Sequence, residues 1–302
     1  MSDKIPDDSK YRLVRNEHGY YSTSPIPDKI FLSRYYEKQF FSKNEKISSY
    51  KHKYTEEELE HKILQYAEAE MFSPGPGKRL LEIGVGEGFG LHHFNGLGWT
   101  LDGVDYNTGI IDSFFPDLSR YVWQGDACEY LEIQSRQGKV YDLVICNNVL
   151  EHVTNPEKMA RLIARALSPD GICRIAVPND DSWVHEDLAA RGVAEERFFV
   201  HFPGHLHYFN AKTLRSLLVR NGLEAFDMLA DFPTNIFLYN EDTNYLRDTE
   251  KGRRCHFAKV AFEMSLWKQS LDALIHFRRG CLQAGVGRNL IAYARKKVLN
   301  SK

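Results

Sequence analysis

Short apolar runs alternate with amphipathic stretches over most of the chain after residue 78. The runs are about five residues long and are separated by turn-forming residues, which is the pattern of buried strands. The predicted strands are residues 79–83, 100–104, 121–124, 141–146, 173–177, 225–229 and 290–294. Because helical patterns lie between them, the sequence predicts a mostly parallel sheet with helices on both faces.

Capping residues mark the predicted helices. Thr55, followed by Glu58 three positions later, has the pattern of a capping box, in which each side chain satisfies a backbone donor of the other. The helix that begins there is predicted to run to about residue 71, where a Pro-Gly-Pro-Gly run soon breaks the chain. Apolar residues at helical spacing predict a second helix at 156–167, and a third at 211–221 ends before Gly222.

The pattern of elements divides the chain into four segments. The first has the pattern of neither a helix nor a strand, and we expect an arm that either packs on the main domain or covers the mouth of its site. Its clustered aromatic residues are Tyr20, Tyr21, Tyr35, Tyr36, Phe40 and Phe41. A later interruption of the alternation, helical around residues 259–277, predicts a cap inserted before the last strand. The segments are 1–53 (arm), 54–231 (core), 232–287 (inserted helical cap) and 288–302 (last core strand and tail).

Composition narrows the class of protein. No run approaches the roughly 18 apolar residues of a membrane helix, and the charged N-terminus lacks the apolar stretch of a secretory signal, so we expect a cytoplasmic location. The five cysteines are scattered and include no C-x-x-C pair, which favours neither disulfides nor a zinc site. Between residues 251 and 302 there are 12 Lys or Arg and two acidic side chains. This basic tail either contacts an anionic partner or lies on solvated helix faces.

The strongest chemical signal is a glycine-rich turn directly after the first predicted strand. The strand Leu-Leu-Glu-Ile at 80–83 runs into Gly84, Gly86 and Gly88. Where side chains are missing, the backbone can approach a nucleoside ligand closely and donate N–H groups to it. The turn therefore indicates a nucleotide-cofactor loop.

Three polar groups follow later strands of the predicted sheet. Asp105 ends the second strand, where a carboxylate can accept hydrogen bonds from two vicinal ribose hydroxyls. Asp126 and Ala127 follow the third strand, and Asn147 follows the fourth. Each alone has an ordinary structural explanation, such as a helix N-cap. Together they place polar groups at the carboxyl edge of the sheet, where open parallel sheets bind ligands.

These motifs together resemble the class I S-adenosylmethionine-dependent methyltransferases. Glu82-x-Gly84-x-Gly86-x-Gly88 matches the first motif of that family, and Val-Leu-Glu-His-Val at 149–153 is similar to the subgroup that contains the ubiquinone-biosynthesis O-methyltransferases. The resemblance covers about residues 78–229 and the last strand. It implies S-adenosylmethionine as cofactor, S-adenosylhomocysteine as product, and a Rossmann-like, doubly wound sheet of seven strands whose last strand is antiparallel.

The resemblance also implies roles for particular residues. Glu82 and the glycine turn would hold the methionine end of the cofactor, and Asp105 the ribose. Asp126 and Ala127 would contact the adenine, and Asn147 would line the methionyl side. The complete set of expected cofactor-binding residues is Glu82, Gly84, Gly86, Gly88, Asp105, Tyr106, Asp126, Ala127 and Asn147.

Histidines near the carboxyl edge of the sheet are the candidate catalytic residues. A hydroxyl acceptor benefits from a base, and the unperturbed pKa of histidine, about 6.5, suits that role. We rank His205 and His207 first because they follow the fifth strand, where the family places acceptor contacts, and His152 after them. The alternative for each is a structural hydrogen bond. Glu151 is a possible partner of His152 or a metal ligand, but no second acid at matching spacing accompanies it, so no metal is predicted.

The acceptor is the least determined part of the interpretation. The segment from His205 to Phe209 resembles one found in methyltransferases of small molecules and sugars, and the arm loosely resembles enzymes of surface-polysaccharide pathways. These likenesses rank a sugar or sugar nucleotide first and a quinone or phenolic precursor second. The basic tail suits an acceptor that carries phosphate. No nucleic-acid partner is expected, and the oligomeric state stays open.

Three other classes of function compete with this interpretation. A nicotinamide-dependent dehydrogenase would need a third glycine where Phe89 stands. An RNA or protein methyltransferase would use the basic tail, but the chain has no overall positive charge and no N-P-P-Y-type motif after the fourth strand. A non-catalytic nucleotide-binding module would bind the cofactor without turning over any acceptor.

Overall fold

The computed structural model describes residues 11–28, 30–32, 35, 54–73 and 78–297 of the 302-residue chain. The strands are β1 (Arg12–Arg15), β2 (Tyr21–Ser24), β3 (Arg79–Ile83), β4 (Thr100–Asp105), β5 (Val122–Gln124), β6 (Tyr141–Asn147), β7 (Leu167–Pro178), β8 (His207–Tyr208), β9 (Leu223–Ala230) and β10 (Asn289–Lys296). The helices are α1 (Glu56–Phe72), α2 (Phe89–Gly96), α3 (Gly109–Phe114), α4 (Ala127–Arg136), α5 (Pro156–Ala166), α6 (Trp183–Ala190), α7 (Ala211–Arg220), α8 (Thr249–Gln269) and α9 (Leu271–Ala284).

The main sheet has seven strands in the order β5-β4-β3-β6-β7-β10-β9. Strands β3 to β7 pair in parallel, whereas β10 is antiparallel to both β7 and β9. All seven predicted strands are present, and the predicted antiparallel last strand is confirmed. The strand order reverses between β3 and β6, which places a ligand-binding crevice at their carboxyl ends.

Helices cover both faces of this sheet because alternate strand residues point to opposite sides. Leu81 packs into a cluster with α4, α5 and α7, while Leu80 belongs to a cluster on the other face with α1, α2 and α9. The capping box of α1 is present: the Thr55 hydroxyl accepts from the Glu58 N–H at 3.2 Å, and the Glu58 carboxylate accepts from the Thr55 N–H at 3.0 Å.

The N-terminal segment corrects one expectation. We predicted neither helix nor strand there, but β1 and β2 form an antiparallel hairpin, and β2 pairs with β8 in a separate three-stranded sheet. Tyr20 is buried, with its ring centroid 4.9 Å from that of Phe209. The hairpin is stabilised by a partner strand almost two hundred positions away, so local pattern does not reveal it. The aromatic residues Tyr36, Phe40 and Phe41 lie outside the described residues.

The segment before β10 contains two helices, α8 and α9, which together cover the range around residues 259–277 where the sequence pattern is helical. The chain breaks at Ser270, whose extended backbone ends α8 and whose hydroxyl caps α9 by accepting from the Ala273 N–H at 3.0 Å. The helices pack on α1 and β9 and so extend the layer on one face of the sheet. Among the described residues, no helix is both long and apolar enough to cross a membrane.

Candidate active site

A cavity of about 300 Å³ opens at the carboxyl ends of β3, β4 and β6. Six of the nine expected cofactor-binding residues line it: Glu82, Gly84, Gly86, Gly88, Asp105 and Asn147. His152 lines it as well, and Lys62, Gln65 and Tyr66 of α1 contribute a wall that the sequence analysis did not foresee. Helix α1, which precedes β3, thus forms part of the site. Its sequence pattern does not predict this role.

The glycine turn has the close backbone approach that a nucleoside cofactor requires. Gly84 and Gly88 have φ of +76° and +88°, values that favour glycine. A Cβ atom on Gly88 would lie 2.7 Å from Ile111, and one on Gly84 would collide with Val149. The turn therefore tolerates no side chains at these positions, and its backbone forms the floor of the cavity.

Asp105 is held in place by the same turn. Its Oδ2 accepts from the Gly86 N–H at 2.9 Å, and its Oδ1 accepts from the Asn107 N–H at 3.0 Å. The backbone N–H groups of Tyr106 and Val85 also interact with this carboxylate, so a ligand hydroxyl would share its oxygens with the turn. Burial raises the pKa of Asp105 above its ordinary value, and the backbone donors partly oppose that shift.

Glu82 lies deeper, beneath the turn. It is 2% exposed, and its Oε2 accepts from the Leu91 N–H at 3.1 Å. Burial raises the pKa of Glu82 from 4.5 to about 8, against the opposing effect of hydrogen bonds from Tyr66 and Leu91. The carboxyl group is thus largely neutral at pH 7, and a cation bound in the cavity would favour its ionised form.

Asn147 is oriented by a buried charge network. Its Oδ1 accepts from Arg174 Nη1, while Arg174 Nε donates to the Tyr293 hydroxyl at 3.1 Å. Arg174 also lies 3.5 Å from Glu68 of α1, a residue that is fully buried. The sequence analysis missed Arg174, although a cation in the middle of the apolar run from Ile172 to Val177 was a usable signal.

The three remaining cofactor candidates do not line the cavity. Asp126 is the N-cap of α4, accepting from the Glu129 N–H at 3.0 Å, and its other oxygen accepts from the Tyr106 hydroxyl at 2.8 Å. The Tyr106 side chain is 52% exposed, and Ala127 is the first residue of α4. The structure therefore joins Tyr106 and Asp126 to each other, at the strand ends beside Asp105.

Glu151, His152 and His205 form a cluster, of which His152 lines the cavity. His152 Nδ1 bonds the Gly204 carbonyl, and its Nε2 lies 3.6 Å from Glu151 Oε1. The ring centroids of His152 and His205 are 5.0 Å apart, and His205 Nδ1 lies 3.4 Å from Asp180 Oδ2. Glu151 is 1% exposed, and neither of its carboxylate oxygens has a hydrogen-bond partner among the described residues.

Burial dominates the electrostatics of this cluster. It raises the pKa of Glu151 to about 8 and lowers that of His152 to about 3, the latter with help from the neighbouring His205. For Asp180, burial alone would raise the pKa, but the His205 ring, 3.4 Å away, and the Arg288 guanidinium, 2.8 Å away, bring it below its ordinary value. Asp180 is therefore ionised beside His205.

His207 has a different environment from the other two histidine candidates. Its Nδ1 shares a hydrogen bond of 2.9 Å with Ser22, and its Nε2 bonds the Val153 carbonyl at 3.0 Å. The side chain is 4% exposed, and burial lowers its pKa to about 4. The ring thus links the N-terminal hairpin, through Ser22, to the core, through Val153.

The basic tail is largely paired with acids where it meets the core. Arg278 is buried and bonds Glu263 at 2.8 Å, and Arg279 is paired with Asp227. Of the residues that the structure describes, none from the inserted helices lines the cavity. The paired cations support the interpretation of the tail as helix faces rather than a phosphate site.

Comparison with known proteins gives the class to which this fold and site belong. A sequence model of the methyltransferase domain family matches residues 50–227, more than half of the chain, so the protein belongs to that family. Solved structures with a similar fold include a SAM-dependent methyltransferase from Archaeoglobus fulgidus. The TM-score is 0.50 at 19% sequence identity, and the alignment covers 89% of this chain and 100% of that one. The chain therefore carries a methyltransferase domain with the class I fold.

Curated relatives match over a shorter stretch. Ubiquinone biosynthesis O-methyltransferase of Burkholderia orbicola is 33% identical over 98 residues, which are 32% of this chain and 42% of that protein. The protein of the same name from Coxiella burnetii is 27% identical over 96 residues, or 32% of this chain and 41% of its own length. The alignments therefore span less than half of these relatives.

Proposed function

We propose that this methyltransferase acts on a hydroxyl group of a small molecule, with a quinone or phenolic precursor as the acceptor. The observation that carries the proposal is the cavity itself, which has the glycine turn and Asp105 on one side and His152, with its cluster, on another. The proposed cofactor residues and one histidine of the titratable cluster thus line the same cavity. An acceptor bound in that cavity would meet both.

The residues present suit S-adenosylmethionine, which supplies an electrophilic methyl group on its sulfonium when bound. The floor formed by Gly84 to Gly88 leaves room for a nucleoside, and the Asp105 oxygens can accept from its ribose hydroxyls. Glu82, neutral when the cavity holds no cation, suits the ammonium of a methionyl group, with Asn147 beside it. Tyr106, Asp126 and Ala127, at the strand ends past Asp105, are assigned to the adenine.

The cluster of Glu151, His152 and His205 is proposed to receive the acceptor hydroxyl and to promote loss of its proton. His205 is oriented by the ionised Asp180, and His152 faces the cavity. We do not assign this role to His207, since both of its ring nitrogens are engaged in structural hydrogen bonds. Transfer itself needs in-line alignment of the acceptor oxygen and exclusion of water, which the enclosing walls of α1 and the turn promote.

The choice of acceptor rests on the curated relatives. Those matched are named ubiquinone biosynthesis O-methyltransferases, which favours a phenolic hydroxyl over the sugar ranked first by sequence. The shared stretch covers 42% of the first of them, so the acceptor is our proposal for this chain. The pairing of Arg278 and Arg279 with acids gives no support to an acceptor phosphate.

Calorimetric titration tests the cofactor assignment. We expect saturable binding of S-adenosylmethionine and S-adenosylhomocysteine, weakened by at least about a hundredfold in Asp105→Ala because two hydrogen bonds to a charged acceptor are lost. Asp112→Ala, an exposed acid on α3, is the matched control and should bind like the wild type. Binding of NADH instead, or equal affinities in the two variants, would refute the assignment.

A transfer assay tests the acceptor class. Purified protein with methyl-labelled S-adenosylmethionine should label catechols and other polyphenols faster than sugar nucleotides. Preferential labelling of a sugar nucleotide would restore the first ranking from the sequence. Cofactor binding without labelling of any hydroxyl compound would favour the non-catalytic module.

A further inference from the structure

We propose that Glu151, His152 and His205 bind a divalent transition-metal ion beside the cavity, which His152 lines. One ligand atom from each of the three side chains lies within 4.8 Å of the other two. In a tetrahedral site with metal–ligand bonds of about 2.0–2.1 Å, ligand atoms are roughly 3.3 Å apart. The 3.6 Å between Glu151 Oε1 and His152 Nε2 is close to that spacing. Small side-chain rotations would complete the set.

The buried carboxylate is the second observation that points to a cation. Glu151 is 1% exposed, and neither oxygen is hydrogen-bonded by any described residue. A buried carboxyl group without a hydrogen-bond partner is protonated, paired with a cation or bound to a metal. The nearest charged groups are Asp180, an acid, and Arg288, which is already paired with Asp180. A bound divalent ion would supply the missing positive charge.

The outer contacts of both histidines have the arrangement seen around metal ligands. Metal-binding histidines usually bond a carbonyl or carboxylate through the nitrogen that does not face the ion. Here His152 Nδ1 bonds the Gly204 carbonyl, which directs Nε2 towards Glu151. His205 Nδ1 faces the Asp180 carboxylate, which is anchored by Arg288 at 2.8 Å. Each ring therefore has a partner at Nδ1, which leaves Nε2 as the nitrogen for the proposed ion.

The donor set selects the class of ion. Two imidazole nitrogens and one carboxylate suit Zn²⁺, Fe²⁺ or Co²⁺, whereas Mg²⁺ and Ca²⁺ prefer oxygen ligands throughout. Three protein ligands leave a position open, as in catalytic sites. With the proposed function, on which this role rests, the open position would take the acceptor hydroxyl. The ion would lower the pKa of that hydroxyl, whose proton would pass to solvent.

The test uses the full chain, stripped of metal by a chelator and titrated with Co²⁺. Co²⁺ reports nitrogen and oxygen coordination through its visible absorption, and competition with Zn²⁺ gives the relative affinity. The variants are Glu151→Gln, which keeps the shape and removes the charge, and His205→Gln. His201→Gln is the matched control, because His201 is an exposed histidine of the same segment outside the three-ligand set.

We expect one equivalent of Co²⁺ per chain, displaced by Zn²⁺, with affinity at least tenfold lower in Glu151→Gln and His205→Gln and unchanged in His201→Gln. No stoichiometric binding by the wild type, or equal affinity in all variants, would overturn the site. If Glu151→Gln does not fold, the half-buried His205 still provides a decisive variant. S-adenosylhomocysteine affinity, measured on the same samples, tests the proposed function separately, because metal uptake requires no cofactor.

Discussion

At the residue scale, the carboxyl groups of Glu82 and Glu151 are unusual because acidic side chains are rarely buried in a protein core. Both are almost fully buried, and burial raises the pKa of each to about 8. Glu82 retains a hydrogen bond from Leu91, whereas Glu151 has none among the described residues. Glu82 lies at the end of β3 and lines the cavity, and Glu151 lies in the turn after β6, next to the lining residue His152. The unfavourable burial is therefore concentrated where ligands are proposed to bind.

The stability of the ligand-free protein should report the Glu82 proton. The folded state binds it more tightly than the unfolded chain does, so its stabilising effect is complete below pH 4.5 and is lost as the pH rises towards 8. The slope from this group approaches about 1.4 kcal/mol per pH unit inside that window. Glu82→Gln, which can still accept from Leu91, should flatten the dependence in urea unfolding series. Parallel curves for the two proteins would contradict the raised pKa.

At the scale of elements, α1 has a start that is set by local sequence and side chains that line the cavity. The capping box sets its start, and its next turns supply Lys62, Gln65 and Tyr66 to the cavity. Lys62 is ion-paired with Glu87 of the glycine turn, and its ammonium lies 4.4 Å from the Tyr54 ring centroid. The start of this helix is thus predictable from two residues, whereas its place along one side of the cavity depends on contacts that are not local.

Removal of the cap should weaken this helix measurably. Thr55→Ala leaves the Glu58 N–H without its side-chain acceptor, and we expect a loss of about 1 kcal/mol in the free energy of unfolding by urea. Thr55→Ser keeps a hydroxyl in the same place and should retain most of the stability. An alanine variant as stable as the serine variant would show that water replaces the cap.

At the scale of the whole molecule, a buried network of charges connects the inserted helices to the site. Arg278 of α9 bonds Glu263 of α8 and Glu68 of α1. Glu68 also accepts from the Tyr293 hydroxyl at 2.7 Å and faces Arg174, which in turn orients Asn147 in the cavity. The segment expected to be an inserted cap is thus connected to the cavity by side chains of the sheet, Arg174 of β7 and Tyr293 of β10.

Loss of Arg278 should therefore be far more damaging than loss of a surface arginine. Arg278→Leu leaves Glu68 and Glu263 buried without their main counter-charge, and we expect about 3–5 kcal/mol of destabilisation in chemical unfolding. Arg254→Leu, at an exposed position of α8, should change stability by less than about 0.5 kcal/mol. Similar losses in both variants would mean that the network contributes little.

Much of the core was predictable from the sequence because its determinants are local. Strand hydrophobicity, the glycines with positive φ and the caps at Thr55 and Asp126 all act within a few residues of where they stand. Six of the nine expected cofactor residues meet in one cavity for the same reason, since consecutive parallel strands end at one edge. The expectation for His207 rested on its place in the chain, but the partners of its ring nitrogens depend on distant segments.

The sequence by itself thus determined the strands of the sheet and the glycine turn, because hydrophobic periodicity and backbone chemistry depend on neighbouring positions. The antiparallel last strand and the methyltransferase family followed from the resemblance of its motifs to that family. Only the tertiary structure decided which side chains meet across the fold. It paired the N-terminal hairpin with β8, placed Arg174 behind Asn147, and brought His205 next to Glu151 and His152. Such contacts join residues far apart in the chain, and their geometry follows from the packing of whole elements rather than from any local pattern.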